Sequence, residues 1–187
     1  MRIAITGGIG SGKSFVCKKL NERGINIYDC DSGAKRLMRT SEELKQRLTD
    51  LIGEGTYESG TLNKAKVAEF LLASEENKLA INAIVHPAVI QDFYQSGLTW
   101  METAILYEAN LAGFVDKTIC VCAPEDVRIQ RIMKRDGISH ERAKEWIESQ
   151  MPQEEMARRS DFVIVNDGTY DLDTQINSIL ATLNAKH

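Results

Sequence analysis

Short runs of Ile and Val alternate along the chain with longer segments in which apolar residues recur at helical spacing. Apolar runs of this kind are typical of strands that are buried on both faces of a parallel sheet. They predict five strands, at residues 3–5, 25–28, 100–106, 117–122 and 162–165. Because helical segments separate these strands, we expect an α/β fold in which a five-stranded parallel sheet is flanked by helices.

The helical segments are distributed unevenly between the strands. Gly24 is placed to end the first helix, and Pro87 is placed to begin the last helix before the third strand. The spacing predicts helices at residues 14–23, 35–38, 41–52, 64–72, 77–85, 88–95, 124–135, 139–150 and 172–183. Residues 34–96 form a long helical run for one crossover, so we expect an inserted substrate-binding subdomain there.

A glycine-rich segment joins the first strand to the first helix. Residues 7–14, which we call the phosphate loop, match G-x-x-x-x-G-K-[ST] at every fixed position. Glycines allow backbone N–H groups to surround phosphates next to a positive helix N-terminus. Lys13 can reach the β- and γ-phosphates, and the Ser14 hydroxyl can bind Mg²⁺. The alternative is a glycine-rich turn without a ligand, but the complete match favours nucleoside triphosphate binding.

The phosphate loop does not by itself identify the reaction. A GTPase should carry N-K-x-D, and the nearest segment, residues 63–66, lacks the acidic fourth residue. The chain of 187 residues is also short for a hexameric motor with a working domain. A small-molecule kinase needs only the loop, an acceptor site, a base and a cationic lid, and we favour that class.

Two carboxylates follow the second predicted strand. Asp29 and Asp31 should lie at the same sheet edge as the phosphate loop, because the carboxyl ends of parallel strands share one edge. One of them could accept the proton of an attacking hydroxyl. The alternative is an Asx turn and a helix N-cap, and Asp31 could combine both roles. His86, and Glu108 at the expected end of the third strand, are further candidates whose roles could equally be structural.

Four cations lie between residues 128 and 135 without an acid among them. Arg128, Arg131 and Arg135 are spaced by three and four residues and therefore share one helix face. Such a face could close over phosphates as a lid and neutralise the charge of a transferred phosphoryl group. The alternative is a solvated basic face near a helix C-terminus. Next to a phosphate loop we favour the lid, with Arg131 and Arg135 as its main residues.

Composition limits the expected partners and location. The chain is 43% hydrophobic and 27% charged, as in globular proteins, and its net charge of −4 argues against a non-specific nucleic-acid binder. No apolar run approaches the roughly 20 residues of a membrane span, and no signal peptide is visible, so we expect a cytoplasmic protein without membrane contact. The four cysteines lack CxxC spacing, and buried thiols are favoured over a zinc site.

The ordered set of motifs resembles the dephospho-CoA kinase family. Residues 6–14 are similar to its TGGIGSGKS opening, and residues 29–31 to its D-A-D segment. The further similarities are residues 60–62 (glycine-x-leucine), 86–87 (H-P), 106–108 (the end of P-L-L-F-E), 131–150 (R-x-x-x-R-D…Q, ending at Gln150) and 160–168 (A-D-x-V-I-x-N-x-G). The resemblance extends from residue 2 to about residue 180.

The resemblance implies transfer of the γ-phosphate of ATP, with Mg²⁺, to the ribose 3′-hydroxyl of dephospho-CoA, the last step of coenzyme A biosynthesis. It implies a P-loop NTPase-type kinase core over residues 1–187, an acceptor-binding insertion at about 34–96 and lid helices at about 124–159. Asp31 would be the base, and Lys13, Arg131 and Arg135 the other catalytic residues. We expect a monomer or a weak homo-oligomer.

Binding residues are implied by the same resemblance. Those for the nucleotide are Gly8, Gly10, Ser11, Gly12, Lys13, Ser14, Phe15 and Asn166, of which Asn166 would lie near adenine. Those for the acceptor are Thr6, Asp29, Asp31, His86 and Glu108, and Ser14 would hold the metal. The chain departs from the family pattern at Trp146 and Met156, where a basic residue is common, and at Phe15 and Ala104. Two alternatives are another small-molecule or nucleotide kinase, and a nucleotide-binding regulatory module without phosphoryl transfer.

Overall fold

A computed structural model of the protein describes residues 1–185. It divides the chain into two compact units: unit 1 contains Met1–Ile27 and the chain from Thr99 onward, and unit 2 contains Tyr28–Leu98. The main sheet has five strands in the order β2-β5-β1-β6-β7. These strands are β1 (Ile3–Thr6), β2 (Ile27–Asp29), β5 (Trp100–Glu102), β6 (Lys117–Cys122) and β7 (Phe162–Val165). The predicted α/β class, with a five-stranded parallel sheet flanked by helices, is confirmed.

Strand β1 lies at the centre of the sheet and positions the phosphate loop. Ile3 is opposite Trp100 on one side and Lys117 on the other, and both neighbours run parallel to β1. The helices of unit 1 are α1 (Lys13–Asn21), α6 (Glu125–Asp136), α7 (His140–Glu148), α8 (Gln153–Arg159) and α9 (Leu172–Asn184). Ile3 and Ile5 pack in one buried cluster with Val16 of α1 and Ile176 of α9. Burial of this apolar surface holds α1, and with it the loop, against the sheet.

Two departures from the family pattern, Trp146 and Met156, take part in apolar packing, the first of them at a small cluster that joins α6 and α7. Ile129, Ile132, Ala143 and Ile147 are buried together, and Trp146 packs against them. In α8, which the sequence analysis did not predict, Met156 is fully buried. Trp146 therefore contributes to this apolar packing, and the position of Met156 is closed to solvent.

Unit 2 is helical, with one small hairpin that the sequence analysis did not predict. Its helices are α2 (Cys30–Thr40), α3 (Glu42–Ile52), α4 (Lys64–Ala73) and α5 (Glu75–Gln95), and its hairpin joins β3 (Tyr57–Glu58) to β4 (Thr61–Leu62). Helix α5 packs against α2, α3 and α4. Ser41, Asn63 and Ser74 cap α3, α4 and α5 by accepting a backbone N–H, so each helix begins at a polar residue that suits that role.

Helix α5 is continuous through Pro87, so the prediction of separate helices at 77–85 and 88–95 is wrong. Ile81, Val85 and Val89, spaced by four residues on both sides of the proline, are all buried. Proline removes one helical N–H bond and crowds the preceding turn, which costs about 3 kcal/mol. Burial of this continuous apolar stripe offsets that cost.

Strand β5 ends at Glu102, four residues before the predicted end of the third strand. Its pairing with β1 stops where Ile5 faces Glu102. The N–H of Thr103 makes the last hydrogen bond, to the Ile5 carbonyl at 3.0 Å. The chain then turns, and Leu106 is buried in the turn rather than in a strand. The prediction of a strand to residue 106 was therefore too long, because it followed apolar residues that lie beyond the last residue paired with β1.

Candidate active site

The phosphate loop runs from the end of β1 into the first turn of α1. Gly10 and Gly12 have φ values of +79° and +91°, in the left-handed region that favours glycine. A Cβ on Gly10 would lie 2.7 Å from the carbonyl oxygen of Arg128, and one on Gly8 would collide with the guanidinium of the same arginine. The loop therefore keeps this path only with glycine at these positions.

Lys13 and Ser14 form the first turn of α1, and Gly12 is its N-cap. The first N–H groups of a helix have no partners inside the helix, and the helix dipole makes this end positive. Gly12 has no side chain that could occupy those groups. The first turn of α1 is therefore suited to bind an anion such as phosphate.

Lys13 lies beside a carboxylate that the sequence analysis did not select. Its Nζ is 3.8 Å from Oε1 of Glu102, and the two side chains are only 12% and 19% exposed. Burial lowers the pKa of Lys13 below its ordinary value, and the negative charge of Glu102 opposes that shift. Glu102 is the last residue of β5, so the rule that placed candidates at strand ends would have found it if the strand had been predicted with its true length.

A cavity of about 510 Å³ brings together most of the nucleotide-binding residues that were predicted. The predicted residues that line it are Gly10, Gly12, Lys13, Ser14, Phe15, Arg131 and Arg135. Gln150 and Ala104 also line it. Three cations around one cavity beside a helix N-terminus favour a ligand with several negative charges.

Two arginines of α6 donate hydrogen bonds to the backbone of the phosphate loop. Arg128 is 4% exposed, and its Nε donates to the carbonyl of Ile9 at 2.9 Å. Arg131 donates from Nη1 to the carbonyls of Gly10 and Ser11, at 3.3 Å each. For these two residues the solvated basic face, which the sequence left open, is wrong. Their guanidinium groups hold the loop in place.

Arg135 lies one turn further along α6 and behaves differently. Its side chain is 60% exposed and contacts the carboxylate of Asp136 at 2.7 Å. Because its head group contacts an exposed neighbour rather than the backbone of the loop, it can turn toward a phosphate in the cavity that it lines.

Asn166, directly after β7, supports the phosphate loop from the end of a second strand. Its Nδ2 donates to the carbonyl of Ser11 at 2.9 Å, and its own carbonyl accepts from Nη2 of Arg131 at 2.9 Å. Two hydroxyl oxygens, Oγ1 of Thr6 and Oγ of Ser11, are buried without a hydrogen-bond partner among residues 1–185. Buried hydroxyls usually have partners, so these two groups remain available as donors at the loop.

A second cavity, of about 420 Å³, shares Phe15 with the first. Its other lining residues are Lys19, Asn166, Gly168, Thr169, Tyr170, Asp171, Leu172 and Asp173. Nζ of Lys19 lies 5.6 Å from the centre of the Phe15 ring. This cavity is suited to the part of a nucleotide that extends beyond its phosphates.

Glu108 does not lie at the end of a strand, so that part of its prediction is wrong. It lies in the turn after β5, and its Oε1 accepts the N–H of Met151 at 3.2 Å. The carboxylate at the strand end is Glu102 instead.

In unit 2, the two aspartates after β2 have different environments. Asp29 is the N-cap of α2, and it accepts the N–H groups of Asp31 and Ser32 at 3.0 and 3.1 Å. The prediction that Asp31 caps this helix is therefore wrong. Asp31 lies in the first turn, is 76% exposed and pairs with Lys35 at 2.5 Å. The cap belongs to Asp29 because the strand ends there and the helix begins at Cys30.

His86 lies inside α5 rather than before a helix. It is half-buried, and burial lowers its pKa below the ordinary value. A cavity of about 230 Å³ in unit 2 is lined by α2, α3 and α5, including Leu37, Arg47, Pro87 and Gln91.

No group of three or more His, Cys, Asp or Glu side chains is placed to hold a metal ion within residues 1–185. Within the same residues, no helix has the length and apolar character needed to cross a membrane. Cys120 and Cys122 are buried on one side of β6, with their sulfur atoms 3.5 Å apart.

Comparisons with the sequences of known proteins agree on one family. A family model described as dephospho-CoA kinase matches residues 1–171. A dephospho-CoA kinase of Bacteroides fragilis is 39% identical over 193 aligned positions, covering 100% of this chain and 94% of the relative. The crystal structure of TT1252 from Thermus thermophilus superposes with a TM-score of 0.83 at 32% identity, covering 98% of this chain and 97% of that one. A dephospho-CoA kinase from Campylobacter jejuni shares the fold, with a TM-score of 0.64 at 21% identity over 97% and 96% of the two chains.

Proposed function

Because this chain belongs to the dephospho-CoA kinase family, we propose that it transfers the γ-phosphate of ATP to the ribose 3′-hydroxyl of dephospho-CoA. This reaction completes coenzyme A biosynthesis. The observation that carries the donor half of the proposal is the cavity in which Lys13, Arg131 and Arg135 surround the phosphate loop. Full-length similarity to dephospho-CoA kinases supports the acceptor half.

The donor half of the mechanism uses the loop and its cations. The N–H groups at the start of α1 bind phosphate oxygens, and the Lys13 ammonium stays with the β- and γ-phosphates. A bound triphosphate raises the pKa of Lys13 toward its ordinary value, because the new negative charges offset the burial that lowers it. Arg135 turns to the γ-phosphate and neutralises the charge that develops during transfer.

Mg²⁺ fits the residues at this cavity. Ser14 lines it, and Oε1 of Glu102 lies 3.8 Å from Nζ of Lys13, which also lines it. Hydroxyl and carboxylate oxygens are the ligands that Mg²⁺ prefers in proteins. When bound, the ion would supply positive charge that stabilises the triphosphate during transfer. We propose Ser14 as its protein ligand.

The acceptor half depends on unit 2. We propose that Asp31 accepts the proton of the ribose 3′-hydroxyl as its oxygen bonds to the γ-phosphorus, while the bond from that phosphorus to the β–γ bridging oxygen breaks and ADP leaves. The 76% exposure of the Asp31 side chain supports this role, since the carboxylate is accessible to a substrate. Thr6, Asp29, His86 and Glu108 are proposed to contact the acceptor, and helices α2–α5 to bind the rest of it.

The experiment is a coupled assay of ADP release with ATP and a panel of acceptors: dephospho-CoA, AMP and adenosine. We expect saturable ADP release with dephospho-CoA alone. Equal turnover of AMP or adenosine would instead favour a nucleotide or nucleoside kinase. Tight binding of ATP without acceptor-stimulated ADP release would identify a regulatory module and overturn the proposal.

A further inference from the structure

Gln150, just after α7, has an orientation that is fixed by one hydrogen bond. Its Oε1 accepts the N–H of Ile9 in the phosphate loop at 2.7 Å. In a side-chain amide the oxygen only accepts and the nitrogen only donates, so a backbone N–H donor identifies the oxygen. The amide nitrogen must therefore point away from Ile9, and it makes no hydrogen bond within residues 1–185.

The unpaired amide nitrogen belongs to a side chain that lines the phosphate-loop cavity. Gln150 shares that cavity with Lys13, Arg131 and Arg135. It is half-buried, so the nitrogen keeps access to a ligand. Lys13, Arg131 and Arg135 offer charged donors, whereas Gln150 offers an uncharged one.

The position of Phe15 indicates which part of a nucleotide reaches Gln150. Phe15 lines both the phosphate-loop cavity and the second cavity, which extends toward residues 168–173. A nucleoside in the second cavity directs its phosphates past Phe15 and Lys13 into the first. Ile9 and Gln150 belong to the first cavity alone, so they are placed for the terminal phosphate.

We propose that the Nε2 amide of Gln150 donates a hydrogen bond to the γ-phosphate of bound ATP, because the bond from the Ile9 N–H to Oε1 fixes the orientation of the side chain. Gln150 is then a phosphate-binding residue. This rests on the proposed function only in taking ATP as the ligand. The backbone of Ile9 is held on both sides, because its carbonyl accepts from Nε of Arg128 at 2.9 Å and its N–H donates to Gln150. The side-chain amide of Gln150 is thus positioned before the ligand binds.

An amide donor is also useful at this cavity because α7 and α8 lack basic residues at two positions where the family commonly has them. Trp146 packs against the apolar cluster of α6 and α7, and Met156 is fully buried, so neither supplies a charge. A hydrogen bond to a charged phosphate oxygen contributes roughly 10- to 100-fold in affinity. Gln150 therefore supplies part of the γ-phosphate binding that a lid cation would otherwise give.

The test compares ATP and ADP affinity by titration calorimetry in Gln150→Met and Gln150→Glu variants. We expect Gln150→Met to weaken ATP binding by roughly 10- to 100-fold and to leave ADP binding within about threefold. Gln150→Glu keeps an acceptor for the Ile9 N–H but faces the γ-phosphate with an oxygen, so ATP affinity should fall at least as far. Unchanged thermal unfolding would show that both variants fold.

Gln153→Met is the matched control. Gln153 also accepts a backbone N–H, that of Ala123 at 2.9 Å, but it does not line the cavity. Loss of the Gln153 amide should leave the ratio of ATP to ADP affinity unchanged. A change in that ratio as large as the change in Gln150→Met would overturn the proposal. Wild-type ATP affinity in Gln150→Glu, or an equal loss of ATP and ADP, would also overturn it. Failure of dephospho-CoA as an acceptor would contradict the proposed function alone, because these affinities are measured without an acceptor.

Discussion

The phosphate loop of unit 1 and the acidic turn of unit 2 are held in very different ways. Side chains from α6, the end of α7 and the end of β7 bond to the backbone of the loop, and Lys13 beside it is mostly buried. In the acidic turn, which contains Asp29 and Asp31, Asp29 caps helix α2, while Asp31 is exposed and contacts one lysine. The phosphate loop is therefore held by the rest of unit 1 before a ligand binds, whereas the carboxylate proposed as the base is exposed and has one ion-pair partner, Lys35.

The largest effect should come from Lys13→Met. Removing the cation at the transferring phosphates should lower kcat/KM by on the order of 10³-fold or more and weaken ATP binding. Steady-state kinetics and calorimetry would measure both. Lys18→Met, at an exposed position on the same helix, is the control and should stay near wild type. Near-normal turnover of Lys13→Met would contradict the assignment of the donor site.

Asp31→Asn should come next and should affect a different step. We expect kcat to fall by roughly 10²- to 10⁴-fold, because a positioned base is lost, with little change in ATP affinity. Lys35→Gln removes the ion pair of Asp31 but leaves the carboxylate, and should change kcat only slightly. A loss below about tenfold in Asp31→Asn would remove this residue as the base.

A smaller effect, on stability, is expected for Asn166→Ala. The change removes a buried hydrogen bond to Ser11, so the free energy of unfolding should fall by about 1–3 kcal/mol in a denaturant titration. Asn177→Ala is the control, because the side chain of Asn177 accepts its hydrogen bond from Arg23 at an exposed site, and it should change stability by less than about 0.5 kcal/mol. Equal losses in the two variants would show that the loop is not held by Asn166.

The smallest effect should be a pH dependence from His86. Burial lowers its pKa in the folded protein, so the unfolded chain binds the proton more tightly. Stability should therefore fall as the pH drops from 7.5 through the ordinary histidine pKa of about 6.5. The fall should be shallower in His86→Gln and unchanged in the control His140→Gln, where the histidine is exposed. Parallel curves for wild type and His86→Gln would contradict this account.

The sequence predicted the features that depend on local order along the chain. The first strand, the phosphate loop and α1 follow from one uninterrupted pattern, and β7 was predicted with its observed bounds, residues 162–165. The family resemblance, the fold class and the assignment to a kinase are confirmed. Each depends on motif order and periodicity, which a single sequence displays directly.

The features that were missed depend on partners far away in the chain. Arg128 and Asn166 bond to loop residues that precede them by 119 and 155 positions, and no local pattern reveals such pairs. The end of β5 is set by the length of β1, and the continuity of α5 through Pro87 is set by burial. Glu102 was missed because the end of β5 was not predicted. Its place at a strand end is visible only from the pairing of β5 with β1.

The most direct measurement of the central claim is the identity of the product. Purified protein would be incubated with ATP and dephospho-CoA, and the product analysed by mass spectrometry and phosphorus NMR. We expect stoichiometric ADP and a product identical to coenzyme A, with the new phosphate on the ribose 3′-oxygen. Consumption of ATP without that product, or a phosphate at another position, would contradict it.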